Sequence, residues 1–130
     1  MPSENLWGEL PDVGNVRTPL SILKEQATVL SDMTERLLEG SVTILKDAVN
    51  EISAELEIRA PALGGYKVAV LRVSHKLAIY PVMVVDLINN TPLSPASDES
   101  MYLDSLKRVL TQPKVKSVIS SLLLQSRAAS

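Results

Sequence analysis

The chain has 130 residues, 45% of them apolar and 22% charged, with a formal net charge of −2. That is the balance of one globular domain, neither that of a disordered segment nor that of a strongly basic nucleic-acid binder. With no Cys, one His and no Phe, a disulfide framework and a thiol nucleophile are excluded, and the core has to be aliphatic.

Residues 1–17 read as an irregular arm. Met1-Pro2-Ser3-Glu4-Asn5 has neither the basic nor the apolar stretch of a secretory signal, so a cytoplasmic location is expected. Leu6-Trp7-Gly8-Glu9-Leu10-Pro11 is too punctuated by Gly and Pro for a helix. Carrying the only Trp, the arm is expected to fold back on its own domain, with docking on another chain as the alternative.

Thr18-Pro19 opens a helix, Thr as N-cap and Pro in the first turn, where a missing N–H costs nothing. Leu20, Leu23, Ala27, Leu30, Thr34 and Leu37 recur at spacings of three and four and form one apolar stripe, with Gly40 as the expected stop. The period then changes to two. Val42, Ile44 and Lys46 alternate with Thr43, Leu45 and Asp47. Ile52, Ala54, Leu56, Ile58 and Ala60 alternate more strictly with Glu51, Ser53, Glu55, Glu57 and Arg59, so one face of that strand meets a core and the other meets water. Pro61 to Gly65 makes a loop.

In a third strand, Tyr66 to Ser74, Val68 and Val70 lie on one side and Ala69, Leu71 and Val73 on the other. A fourth, Ile79 to Ile88, is apolar on both sides, the pattern of a strand covered on both faces by helices or by a second subunit. Pro81 belongs at a strand start, a bulge or an edge. After the turn-rich segment from Asn89 to Pro95, Ser97 or Asp98 caps a helix with Tyr102, Leu103, Leu106, Val109 and Leu110. Thr111-Gln112-Pro113 breaks it, and a last helix carries Val115, Val118, Ile119, Leu122 and Leu123. Residues 18–130 are therefore expected to form a single α+β domain. Its sheet is an antiparallel four-stranded meander, with the first helix packed on it and two C-terminal helices, in the order α-β-β-β-β-α-α.

Charge is unevenly spread. Residues 1–60 hold five Lys/Arg against eleven Asp/Glu, and residues 61–130 hold eight against four. The five basic residues after Ser105 (Lys107, Arg108, Lys114, Lys116 and Arg127) fit helix C-termini and a solvated surface better than a nucleic-acid site. Few aromatic residues also weigh against a base-stacking platform.

Candidate sites are few. His75 stands beside Ser74, but neighbours in a strand point to opposite faces, so a catalytic pair would need another Ser and an orienting carboxylate such as Asp86. Glu55 and Glu57 share a strand face about 6.6 Å apart, within range of a carboxylate pair, with Asp47 and Asp86 joining only if the fold converged them. Tyr66, Arg72, His75 and Tyr80 could line a pocket for a small anion, Arg supplying a bidentate fork and Tyr an orienting hydroxyl. No glycine-rich phosphate loop or cluster of metal ligands is present, so no cofactor is expected. The longest apolar run, Leu77 to Val85, is about half of the 18 residues that span a membrane.

The residues favour a non-enzymatic interaction protein: an adaptor, a chaperone-like protein or an assembly component. It is expected to self-associate as a homodimer through apolar strand or C-terminal helix surface, with Val82, Val84, Ile119 and Leu123 as interface candidates. One alternative is a ligand-binding domain or enzyme using Tyr66, Arg72, His75 and Tyr80. A second is a nucleic-acid accessory protein using the basic C-terminal helices. Small acidic secretion chaperones are similar in size and acidity, but their interleaved helix–strand order differs from the one read here.

Overall fold

A computed structural model of the chain describes residues 3–46 and 49–130. Helix α1 spans Pro19–Met33. It opens on a reciprocal cap: the Thr18 hydroxyl accepts from the Ser21 amide at 3.1 Å, and the Ser21 hydroxyl accepts from the Thr18 amide at 2.8 Å, which satisfies two amides that the helix itself leaves free. Ile22, Leu23 and Ala27 form its buried row.

The helix ends before the apolar stripe does. Glu35 and Arg36 take left-handed conformations at φ 52° and 62°, and the Thr34 hydroxyl collects the turn by donating toward the Leu30 and Leu38 carbonyls and accepting from the Leu38 amide. The core residue of this turn is Leu38, not Leu37. Gly40 is likewise no helix stop. It lies in strand β1 (Glu39–Leu45), where any Cβ would collide with the Ala27 backbone. Ser31 closes this contact, donating to the Ala27 carbonyl at 3.1 Å and accepting from the Gly40 amide at 2.9 Å.

The α+β class and the meander hold, with one strand more than predicted. Strands β1, β2 (Ile52–Ala60), β3 (Tyr66–His75), β4 (Met83–Asp86) and β5 (Thr91–Pro92) follow one another across an antiparallel sheet. In β2 the alternation holds from Ala54 onward: Ala54, Leu56, Ile58 and Ala60 are buried, while Glu55, Glu57 and Arg59 are only partly so; at the start of the strand it fails, with Ile52 exposed and Ser53 buried.

In β3 the parity changes partway. Leu56 faces Leu71, but Glu57 faces Ala69, so Val70 is the extra residue of a β-bulge. A bulge shifts every later side chain to the other face. Val68 therefore shares the core face with Leu71 and Val73 rather than opposing them.

The fourth strand is short for a local reason. Ile79 has φ 74°, and the Tyr80 amide donates back to the Ala78 carbonyl at 3.0 Å, a γ-turn that an extended strand does not contain. Pro81 follows through a cis peptide bond. Val82 then exchanges two hydrogen bonds with Ala96 outside the strand ladder, and Val82 and Val84 are fully buried while Met83 is 39% exposed. The apolar run is thus a loop, a bridge and a four-residue strand, and not one strand covered on both faces.

Helices α2 (Glu99–Leu110) and α3 (Pro113–Ala129) lie on the same side of the sheet as α1. Asp98 caps α2 by accepting from the Met101 amide at 2.8 Å. Fully buried Tyr102 donates its hydroxyl to the Pro19 carbonyl at 2.9 Å, which joins α2 to the start of α1. One core, from Ile22 and Leu23 through Leu56, Leu71 and Val84 to Tyr102, Leu106 and Leu122, fills the space between helices and sheet. The opposite sheet face carries cross-strand ion pairs, Glu55 with Arg72 at 2.7 Å and Glu39 with Arg59 at 3.1 Å. It is a solvated surface.

The arm does not fold back. Every residue from Ser3 to Arg17 is exposed, with Leu6, Trp7, Leu10, Val13 and Val16 between 71% and 85%. Among the described residues, no helix is long and apolar enough to cross a membrane.

A candidate binding groove

The structure spreads the four polar site residues along and across the sheet. Tyr66 begins β3 and His75 ends it, which separates them by about 30 Å. Arg72 lies on the opposite sheet face, donating two hydrogen bonds to one Glu55 oxygen at 2.9 and 2.7 Å. His75 is buried at the end of β3, where its Nδ1 bonds the Lys76 carbonyl at 2.8 Å as donor. Tyr80 sits by the start of α2. Burial, then the Glu99 and Asp98 carboxylates, push its hydroxyl above the usual range, against the opposing pull of Arg17. No hydrogen bond or ion pair joins any two of these four side chains.

Asp86 is placed differently from its proposed role. It pairs with Leu71 in the ladder, several residues along β3 from His75, so it does not orient that ring. Its carboxylate accepts from the Ile88 amide at 2.9 Å, the Asn89 amide at 3.1 Å, the Asn89 side chain at 2.8 Å and the Gln112 side chain at 2.9 Å. Burial pushes this carboxyl up, but the four donors outweigh burial and hold it below the ordinary carboxylate range. Asp86 therefore ties the end of β4 to the turn between α2 and α3. Glu55 is taken by Arg72, and Asp47 lies outside the described residues. Among the described residues, no three His, Cys, Asp or Glu side chains stand close enough to hold a metal ion.

Of the interface candidates, Val82 and Val84 are fully enclosed by their own chain, while Ile119 and Leu123 remain half-buried on α3. Ile119 opens onto an apolar hollow of the surface. Helices α1 and α3 stand apart above β2 and leave a groove of about 380 Å³. Gln26, Val29, Leu30 and Met33 form one wall, Val115, Lys116 and Ile119 the other, and Leu110 and Thr111 close one end. Leu56 and Ile58, only 5% and 3% exposed, form a narrow floor. Val29 and Met33 are 43% and 78% exposed, which is unusual for large side chains clustered on one surface.

The sequence contained part of this signal. Val29 and Met33 are four residues apart on α1, so they form a second apolar row beside the core stripe. A helix that needed one apolar stripe would carry polar residues there. The second wall could not be seen, because it depends on how far α3 stands from α1. Comparison of the chain with protein-family models, with curated proteins and with solved structures gives no match.

Proposed function

We propose that the chain is a non-enzymatic interaction module that self-associates as a two-fold dimer through the groove between α1 and α3 and the adjoining face of α3. The groove carries this reading: eight of its eleven described lining residues are apolar, and Lys116 is the one charged residue among them. A surface of that composition favours an apolar segment of a partner over a polar metabolite.

The polar side chains support the same reading. His75, Asp86, Glu55 and Arg72 each make hydrogen bonds within the fold that commit them to holding it. On the open sheet face Glu55 is paired with Arg72 and Glu39 with Arg59 across strands, so separating them on docking would cost more than leaving them in water. Lys107 and Arg108 lie in the last turn of α2 and Arg127 in that of α3, where they complement the helix dipole, whereas Lys114 and Lys116 stand exposed in the first turn of α3, opposed to it. A two-fold arrangement lets one surface serve both subunits.

The test is molar mass by light scattering across a dilution series, for the native chain and for Val29→Glu. Val29 is partly exposed, so the substitution leaves the core intact. We expect a native dimer that the added carboxylate drives to monomer. A monomer at every concentration, or a dimer indifferent to Val29→Glu, would remove the proposal.

A further inference from the structure

The arm and the groove are complementary. Within one short segment, Leu6, Trp7, Leu10, Val13 and Val16 are all at least 71% exposed, although the same chain buries a full aliphatic core. Glu4, Glu9 and Asp12 lie among them, and Lys116 stands on the groove wall. An acidic, apolar segment thus matches in character an apolar groove whose one charged lining residue, Lys116, is basic. We infer that the groove takes the N-terminal arm of a second copy of this chain, with Trp7 as the anchoring side chain. This rests on the self-association reading above and names the segment that carries it.

The fold directs the arm toward another copy rather than back onto itself. Arg17, at the base of the arm, bonds Glu25 at 2.8 Å and reaches Glu99 at 3.9 Å, so the arm leaves the domain at the start of α1. Its own groove begins at Gln26 and runs to Met33, about 10 to 20 Å farther along the helix. To reach it, the arm would have to reverse at a residue held by two carboxylates. Two local turns also give the arm a shape of its own. The Asn5 side chain accepts from the Trp7 amide at 3.0 Å and donates to the Gly8 carbonyl at 3.1 Å, and the Asp12 side chain accepts from the Gly14 amide at 2.9 Å. A partly ordered arm gives up less freedom on docking. Reciprocal exchange about a two-fold axis would fill two grooves with two arms, and a large aromatic anchor suits the centre of such a contact.

Trp7 is the only Trp in the chain, so indole fluorescence reports the arm alone. The experiment records emission wavelength and acrylamide quenching alongside light-scattering mass over the same dilution series, for the native chain and for Met33→Glu. Met33 is 78% exposed, and circular dichroism checks that the variant keeps its fold. The expected result is a Trp7 emission that shifts to the blue and resists quenching as the dimer forms. Met33→Glu should move both transitions together to at least about tenfold higher concentration. A dimer with Trp7 still open to quencher would overturn the arm proposal and leave the self-association reading standing. A monomer with Trp7 shielded would place the arm in its own groove and overturn exchange between copies. A monomer with Trp7 solvated would overturn both.

Discussion

Leu23 and Leu30 lie on the same stripe of α1 but in different surroundings, and truncating each should separate the core from the groove. Leu23 is fully buried among residues of the helix–sheet core. Leu23→Ala loses the transfer free energy of the removed carbons and also leaves a cavity that the surrounding strands cannot close, together about 3–5 kcal/mol. Leu30 is partly buried and forms part of the groove wall. Truncating it widens a space already open to solvent, so the cavity contribution disappears. The remaining transfer loss is about 1–2 kcal/mol, from roughly 0.8 kcal/mol per fully buried methylene. Urea unfolding of both variants at a protein concentration low enough to keep the chain monomeric gives the comparison, because dimerisation would fill the groove and shift apparent stability. A Leu30→Ala loss equal to or larger than that of Leu23→Ala would refute the reasoning. It would mean that the wall of the groove is closed core.

Asp86→Asn replaces a carboxylate held by four donors with a side chain that offers one acceptor oxygen and turns an NH2 toward the others. It should cost about 1.5–3 kcal/mol at pH 7. The depressed carboxyl adds stability that is complete above the ordinary carboxylate pKa of about 4 and is lost as the pH falls through its own lower value. Urea unfolding at pH 7 and at pH 3 should therefore show the gap between native and variant narrowing in acid, and a constant gap would contradict the assignment. On the solvated sheet face, Arg72→Ala removes a 44%-exposed partner of Glu55. Because the Glu55 side chain is only 16% exposed, leaving it unpaired should cost about 1–3 kcal/mol with the molar mass unchanged, whereas loss of the dimer would move the interface to that face.

Local chemistry made several elements readable. Thr18-Pro19 starts α1 because capping depends on neighbours in sequence. The alternation marked which face of β2 meets the core from Ala54 to Ala60, though not at exposed Ile52 and buried Ser53, and Pro113 marked the break between α2 and α3. The misreadings came from single-residue events with no residue-type marker. Glu35 and Arg36 end α1 in left-handed conformations usually given to Gly, and β-branched Ile79 does the same inside an apolar run. The bulge at Val70 lies within an aliphatic stretch, where shifting the register by one residue leaves the hydrophobic pattern looking unchanged. The groove was still less readable. Val29 and Met33 suggested a second apolar row, but an opening over Leu56 and Ile58 depends on the spacing of α3 from α1, which no local residue pattern encodes.

The measurement that bears most directly on the central claim is the light-scattering mass of the unmodified chain as it is diluted. Self-association through the groove requires a species of twice the 14.1 kDa of one chain, dissociating on dilution at a concentration that Val29→Glu raises. A mass of one chain at every concentration would contradict it.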